Sequence, residues 1–70
     1  MMREPVASTN ILSLGYDSAS ETLEVEFSSG SVYQYYNVSA ALHDQLMTAP
    51  SKGQFINAYI KNAHPYSRVG

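Results

Sequence analysis

Polar and apolar residues alternate most strictly through Thr22-Leu23-Glu24-Val25-Glu26-Phe27, the period of a strand with one face on a core and the other on solvent. Leu23, Val25 and Phe27 are expected inside, and Thr22, Glu24 and Glu26 outside as solubilising charges and hydroxyl. A run from Ile11 to Tyr16 predicts a strand before it, across the turn-rich Asp17-Ser18-Ala19-Ser20. Val32-Tyr33-Gln34-Tyr35-Tyr36 predicts a third strand after Ser28-Ser29-Gly30. Beyond Val38 the period lengthens to that of a helix. Ser39 caps a first helix with Leu42, Leu46 and Ala49 on one face, and Pro50 ends it. Ser51 followed three residues later by Gln54 is a capping box, so a second helix starts at Lys52. It carries Phe55, Ile56, Tyr59, Ile60 and Ala63 on one stripe, with Gln54, Asn57 and Lys61 opposite, and Pro65 ends it. The expected fold is α+β: a three-stranded antiparallel meander followed by two helices packed on one face (βββαα), a single domain over residues 9–68. Residues 1–8 show no periodicity and include Pro5, and are expected to form a flexible lead-in.

The hairpin register decides the role of Tyr33 and Tyr35, two of six tyrosines in the chain. A three-residue loop with glycine last favours a type I turn with a G1 bulge, which pairs Phe27 with Ser31, Val25 with Tyr33 and Leu23 with Tyr35. Both rings then enter the core. A two-residue Ser29-Gly30 loop instead sets them on the outer face beside Glu24 and Glu26, a poor place for a phosphate. Neither register makes a simple open stacking platform of the kind that binds RNA bases.

Composition narrows the functional classes. A chain of 70 residues has a thin core, and without cysteine it has neither disulfides nor zinc-thiolate sites to reinforce it. Met-Met-Arg-Glu-Pro has no apolar targeting core, and Ile11 to Leu14 is too short to span a bilayer, so a soluble cytoplasmic protein is expected. Net charge is −2, unevenly placed: residues 1–44 hold all six acids and one base, and residues 45–70 hold Lys52, Lys61 and Arg68 and no acid. Ser51, Lys52 and Gly53 at the start of the second helix, with Lys61 or Arg68 nearby, therefore form a candidate anion site, because first-turn N–H groups and the helix dipole favour phosphate or carboxylate.

Ile11 to Tyr16, Leu23-Glu24-Val25-Glu26-Phe27, Gly30, Tyr33-x-Tyr35, Val38, Ser51-Lys52-Gly53, Phe55-x-Asn57 and Ile60, in that order, resemble the KTSC domain. That family is a short module found at the C-terminus of some lysyl-tRNA synthetases and as stand-alone bacterial proteins. The resemblance covers about Ser8 to Arg68. It implies a compact α+β domain without established activity, for which RNA binding has been suggested from the synthetase context. Its suggestive positions map to Tyr33, Tyr35, Ser51, Lys52 and Gly53; Phe55 and Asn57 belong to the motif as structural positions. The chain departs from the pattern at His43, where an aromatic is usual, and in the His64-Pro65-Tyr66 ending.

Catalytic chemistry finds no support in the pattern. Ser51 and Lys52 are adjacent on a helix and do not face each other, and Ser-Lys-Gly is not the phosphate-loop order. His43 and His64 are isolated histidines without cysteine, so neither a metal nor a cofactor is expected. The reading is a small non-enzymatic binding module, its partner RNA of the transfer type. The alternative is a protein-interaction or weakly self-associating module, suggested by two sheet edges and by Val32, Tyr36 and Met47 at expected surface positions. Replacing the cap, Ser51→Ala, is expected to cost about 0.5–2 kcal/mol of stability, read from the midpoint of chemical denaturation.

Overall fold

A computed structural model describes residues 1–70. Five antiparallel strands lie side by side in chain order: β1 (Glu4–Pro5), β2 (Ile11–Asp17), β3 (Thr22–Phe27), β4 (Val32–Tyr35) and β5 (Tyr66–Arg68). Between β4 and β5 run α1 (Ala40–Thr48), α2 (Lys52–Phe55) and a π-helical continuation of α2, Ile56–Ile60.

The three central strands fall where the alternation predicts them, and the hairpin takes the glycine-bulge register. Val25 pairs with Tyr33 and Leu23 with Tyr35. The Phe27 N–H donates to the Ser31 carbonyl at 2.9 Å, and Gly30 sits at φ 94°, a left-handed conformation that glycine adopts without strain. On β2 the pairing slips between Ile11 and Ser13, a bulge that leaves Leu12 facing solvent. The bulge is why Ile11 and Leu14, three residues apart, both enter the core.

Two strands lie outside the expected meander. β1 falls within residues 1–8, the segment read as a flexible lead-in: Glu4 pairs with Leu14 and Pro5 with Ser13. β5 follows Pro65 and pairs Tyr66 with Tyr35 and Arg68 with Tyr33. Both are too short to show a period. β5 is held by pairing with a strand distant in sequence, and β1 by pairing two residues, one of them a proline, with the next strand; local pattern encodes neither.

The outer face of the sheet is also not the open, solvated surface expected of Glu24 and Glu26. Met1 to Arg3 fold back over Gly15, where an added β-carbon would sit 2.6 Å from the Met2 carbonyl oxygen. Beneath them the Arg3 Nη1 donates to Glu24 Oε2 at 2.6 Å, and Gln34 Nε2 donates to Glu24 Oε1 at 2.9 Å. Ser13 Oγ donates to Glu26 at 2.9 Å. Glu24 and Thr22 are buried and Glu26 is half-buried. A carboxylate is tolerated there because both its oxygens are engaged, one of them by a cation.

On the inner face, nine side chains make the core: Ile11, Leu14, Leu23, Val25 and Tyr35 from the sheet, Val38 from the following loop, and Leu46, Ile56 and Ile60 from the helical layer. Both expected caps are present. Ser39 Oγ accepts from the Leu42 N–H at 3.1 Å and Ser51 Oγ from the Gln54 N–H at 3.3 Å. The second helix departs from expectation after Phe55, where the Lys61 N–H reaches the Ile56 carbonyl at 2.7 Å, five residues back. This wider turn narrows the apolar stripe to Ile56 and Ile60; Phe55 is half-buried, and Tyr59 and Ala63 are exposed. It also turns Lys61 away from the polar face that a regular helix would share with Gln54 and Asn57.

Engagement by Gln34, and secondarily by Arg3, outweighs the opposing effect of burial and holds the Glu24 carboxyl below its ordinary 4.5. A lowered folded value means that this contribution is fully present above 4.5 and is lost as pH falls through the folded value. Acid titration of stability should therefore show a falling limb below that pH, and Glu24→Gln should flatten it.

Candidate functional site

The helical layer covers the centre of the sheet and leaves one corner open. Phe27, Tyr33 and Tyr66 line that corner, with Tyr35 at its inner end, and Lys61 and Asn62 stand across from them. Asn10 and the serines of the β3–β4 turn complete a cleft of about 460 Å³.

Strand register builds the aromatic wall. Because Val25 and Leu23 face inward, Tyr33 and Tyr35 opposite them do too, and Tyr66 and Arg68 follow on the neighbouring strand. Tyr33 and Tyr35 lie 6.4 Å apart, and Tyr66 is 5.9 Å from each, tilted by 47° and 41°. Phe27 meets Tyr33 edge to face at 5.8 Å. The wall passes from buried to open: Tyr35 is 3% exposed, Tyr33 half-buried and Tyr66 59% exposed. Burial, and then the neighbouring Tyr33 and Tyr66, push the Tyr35 hydroxyl above its ordinary 10.0, so it stays neutral at physiological pH.

Lys61 is the single charged side chain on the walls of the cleft. The carboxylates of β3 project from the opposite face of the sheet, where Glu24 is already paired with Arg3. A chain of net charge −2 thus presents a locally cationic hollow floored by aromatic rings. Arg68, opposite Tyr33, stands on the same side of the sheet and donates from Nε to the Gly70 carbonyl at 3.0 Å.

The residues expected to form one anion site are divided by the fold. Ser51 lines a separate, shallow groove with Pro50, Phe55 and Tyr59, and Lys61 lines the aromatic cleft. Gly53 turns toward Ser8 and Ile11. In the first turn of α2 the Gln54 N–H is taken by Ser51 Oγ and the Phe55 N–H by the Ser51 carbonyl. Lys52 is half-buried beside them, and Asn57 is exposed on the π-helical segment. The sequence pattern does not point to Tyr66, Asn10 or Asn62, which also line the cleft. Tyr66 had one faint signal, an aromatic just after Pro65, and Asn10 and Asn62 had none.

Both histidines have structural partners. His43 stacks on Tyr16 at 4.2 Å with planes 7° apart, so its imidazole packs as an aromatic ring. His64 donates from Nδ1 to the Tyr36 carbonyl at 3.0 Å, a contact that fixes the proton on that nitrogen. No helix is long and apolar enough to cross a membrane.

Fold and cleft together define a small α+β module with one aromatic, cationic hollow. The chain belongs to the KTSC domain family, whose model matches residues 7–66. It is 39% identical to a KTSC domain protein from Yersinia pestis of known crystal structure, with a TM-score of 0.94 over 99% of this chain and 97% of that one. It is 43% identical over 54 residues to a lysine–tRNA ligase of Trichormus variabilis, covering 77% of this chain and 10% of the ligase. A protein of Stutzerimonas stutzeri is 41% identical over 64 residues, covering 91% of this chain and 90% of that protein. The domain thus occurs both as a small part of a far longer ligase and in chains of about its own length.

The aromatic gradient predicts unequal roles. Tyr35→Ala should cost about 3 kcal/mol or more, as for other buried aromatics, and approach unfolding in a domain this small. Tyr66→Leu, at an exposed ring, should move the denaturation midpoint far less.

Proposed function

We propose that this chain is a binding module without catalytic activity that takes RNA at the aromatic cleft. The observation that carries the reading is the convergence of Tyr33, Tyr35 and Tyr66 with Lys61 in one hollow free of carboxylates, on a chain that is otherwise acidic. Aromatic faces stack on bases of any sequence, and a nearby cation meets the backbone. The lysine–tRNA ligase relatives, which are named for acting on a transfer RNA, supply the context in which such a module would work, in the cytoplasm and on RNA of that kind. In this reading Ser51 is a helix cap, with Lys52 and Gly53 part of the scaffold, and phosphates meet Lys61 and Arg68. Two cations give a shallow dependence on salt, a log–log slope of about −1.4 for a single strand, and weak affinity in isolation. That suits an adjunct to a larger machine.

A second reading, a protein-interaction or self-associating module, is favoured by the groove beside α2. There the Phe55 and Tyr59 rings lie 4.8 Å apart and Tyr59 is 60% exposed. The two readings part on charge and salt. Lys61→Glu should abolish binding to transfer RNA in a low-salt titration and leave the denaturation midpoint within about 0.5 kcal/mol, as for other exposed substitutions. Binding of a partner protein through Phe55 and Tyr59 would survive the same change.

A further inference from the structure

The two walls of the cleft differ in chemistry, and the difference narrows the ligand. One wall offers ring faces: Tyr33 and Tyr66, inclined to each other by 47°, enclose an angle and do not form a flat sheet of rings. Rings so tilted, with centroids 5.9 Å apart, cannot both lie parallel to one planar group, so a single base can stack on only one of them. Asn62, next in sequence to Lys61, and Asn10 line the rest of the cleft and can offer it their side-chain amides. An amide carries a donor and an acceptor side by side, the complement of the edge of a nucleobase. The volume, about 460 Å³, is that of a small-molecule site. A base pair inside a duplex presents no free ring face to such a hollow, whereas an unpaired base can be turned out into it.

We infer that the cleft receives a single unstacked nucleobase with its phosphate: the ring against Tyr66 and Tyr33, the base edge at Asn62 and the phosphate at Lys61. The inference rests on the RNA reading above and adds that the strand is single and is read one base at a time. The same chemistry is present in a free nucleoside 5′-monophosphate and in a nucleotide of a strand.

Three probes separate these sources and separate this inference from the broader reading. Isotopically labelled protein is titrated at low salt with a single-stranded RNA octamer, with the blunt duplex of the same sequence, and with the four nucleoside 5′-monophosphates. The octamer should shift the Lys61, Asn62 and Asn10 amides, and the duplex should not. Monophosphates acting at much higher concentration on the same signals mark a nucleotide of a strand as the ligand; a monophosphate binding as tightly as the octamer marks a free nucleotide. Tyr66→Leu should weaken octamer binding about tenfold, the effect of removing one stacking ring. Tyr66→Phe should bind like the parent. Asn62→Ala, at an exposed residue outside the helices, is the second variant and should change the relative affinities of the four monophosphates. Duplex bound as well as single strand, or octamer binding indifferent to Tyr66→Leu and Asn62→Ala, overturns the single-base inference and leaves the RNA reading standing. Absence of binding by octamer and duplex alike overturns both.

Discussion

The register of the β3–β4 hairpin is the constraint on which the rest of the molecule depends. Gly30, held at φ 94°, lets Ser31 fold back onto Phe27, and from that contact every later pair is counted. A slip of one residue would exchange the two faces of β4. Tyr33 and Tyr35 would then lie among carboxylates, and Gln34 would be driven into the core without the Glu24 oxygen it now serves. Because β5 is registered on β4, Tyr66 would be carried to the carboxylate face along with them. One turn thus sets the apolar interior, the polar network of the outer face and the aromatic wall of the cleft together.

A sheet used on both faces is also how so short a chain secures its order. The inner face has a helical layer, but that layer is anchored by only three fully buried side chains, Leu46, Ile56 and Ile60. It cannot reach the corner at Phe27, and the cleft is the part of the inner face left over. On the outer face, Met1 to Arg3 replace a second layer with a strap and an ion pair. An interior this thin has little stability to spare. The cleft is tolerable because its rings grade from buried Tyr35 to exposed Tyr66, so the apolar surface left in water is modest.

What could be read from the sequence follows how local each cause is. The central strands, both serine caps and the hairpin register are set by residues within a few positions of one another, and each was legible. β1 and β5 were not, since two and three residues carry no period, β1 contains a proline, and the partner of β5 lies far back along the chain. Glu24 on an alternating strand looks like a solvated charge until Arg3 arrives from the N-terminus. A regular helix would set Lys61 opposite Ile60 with Gln54 and Asn57, and the π-helical segment Ile56–Ile60 breaks that regularity. The candidate site was legible in its residue types, tyrosines and a late lysine, but not in which of them meet.

The position of the two chain ends has a consequence for tethering. Met1 lies over Gly15 on the outer face, and Gly70 stops against the Val32 side chain, which its pairing with Glu26 sets on that same face. A polypeptide joined before Met1 would leave from behind the sheet, with the aromatic hollow pointing the other way, and one joined after Gly70 would leave from the sheet edge, where the Gly70 backbone is bonded to that of Val32. The module can therefore be leashed before Met1 without blocking its own mouth. Its orientation on a host would be such that whatever enters the hollow approaches from the side away from the leash.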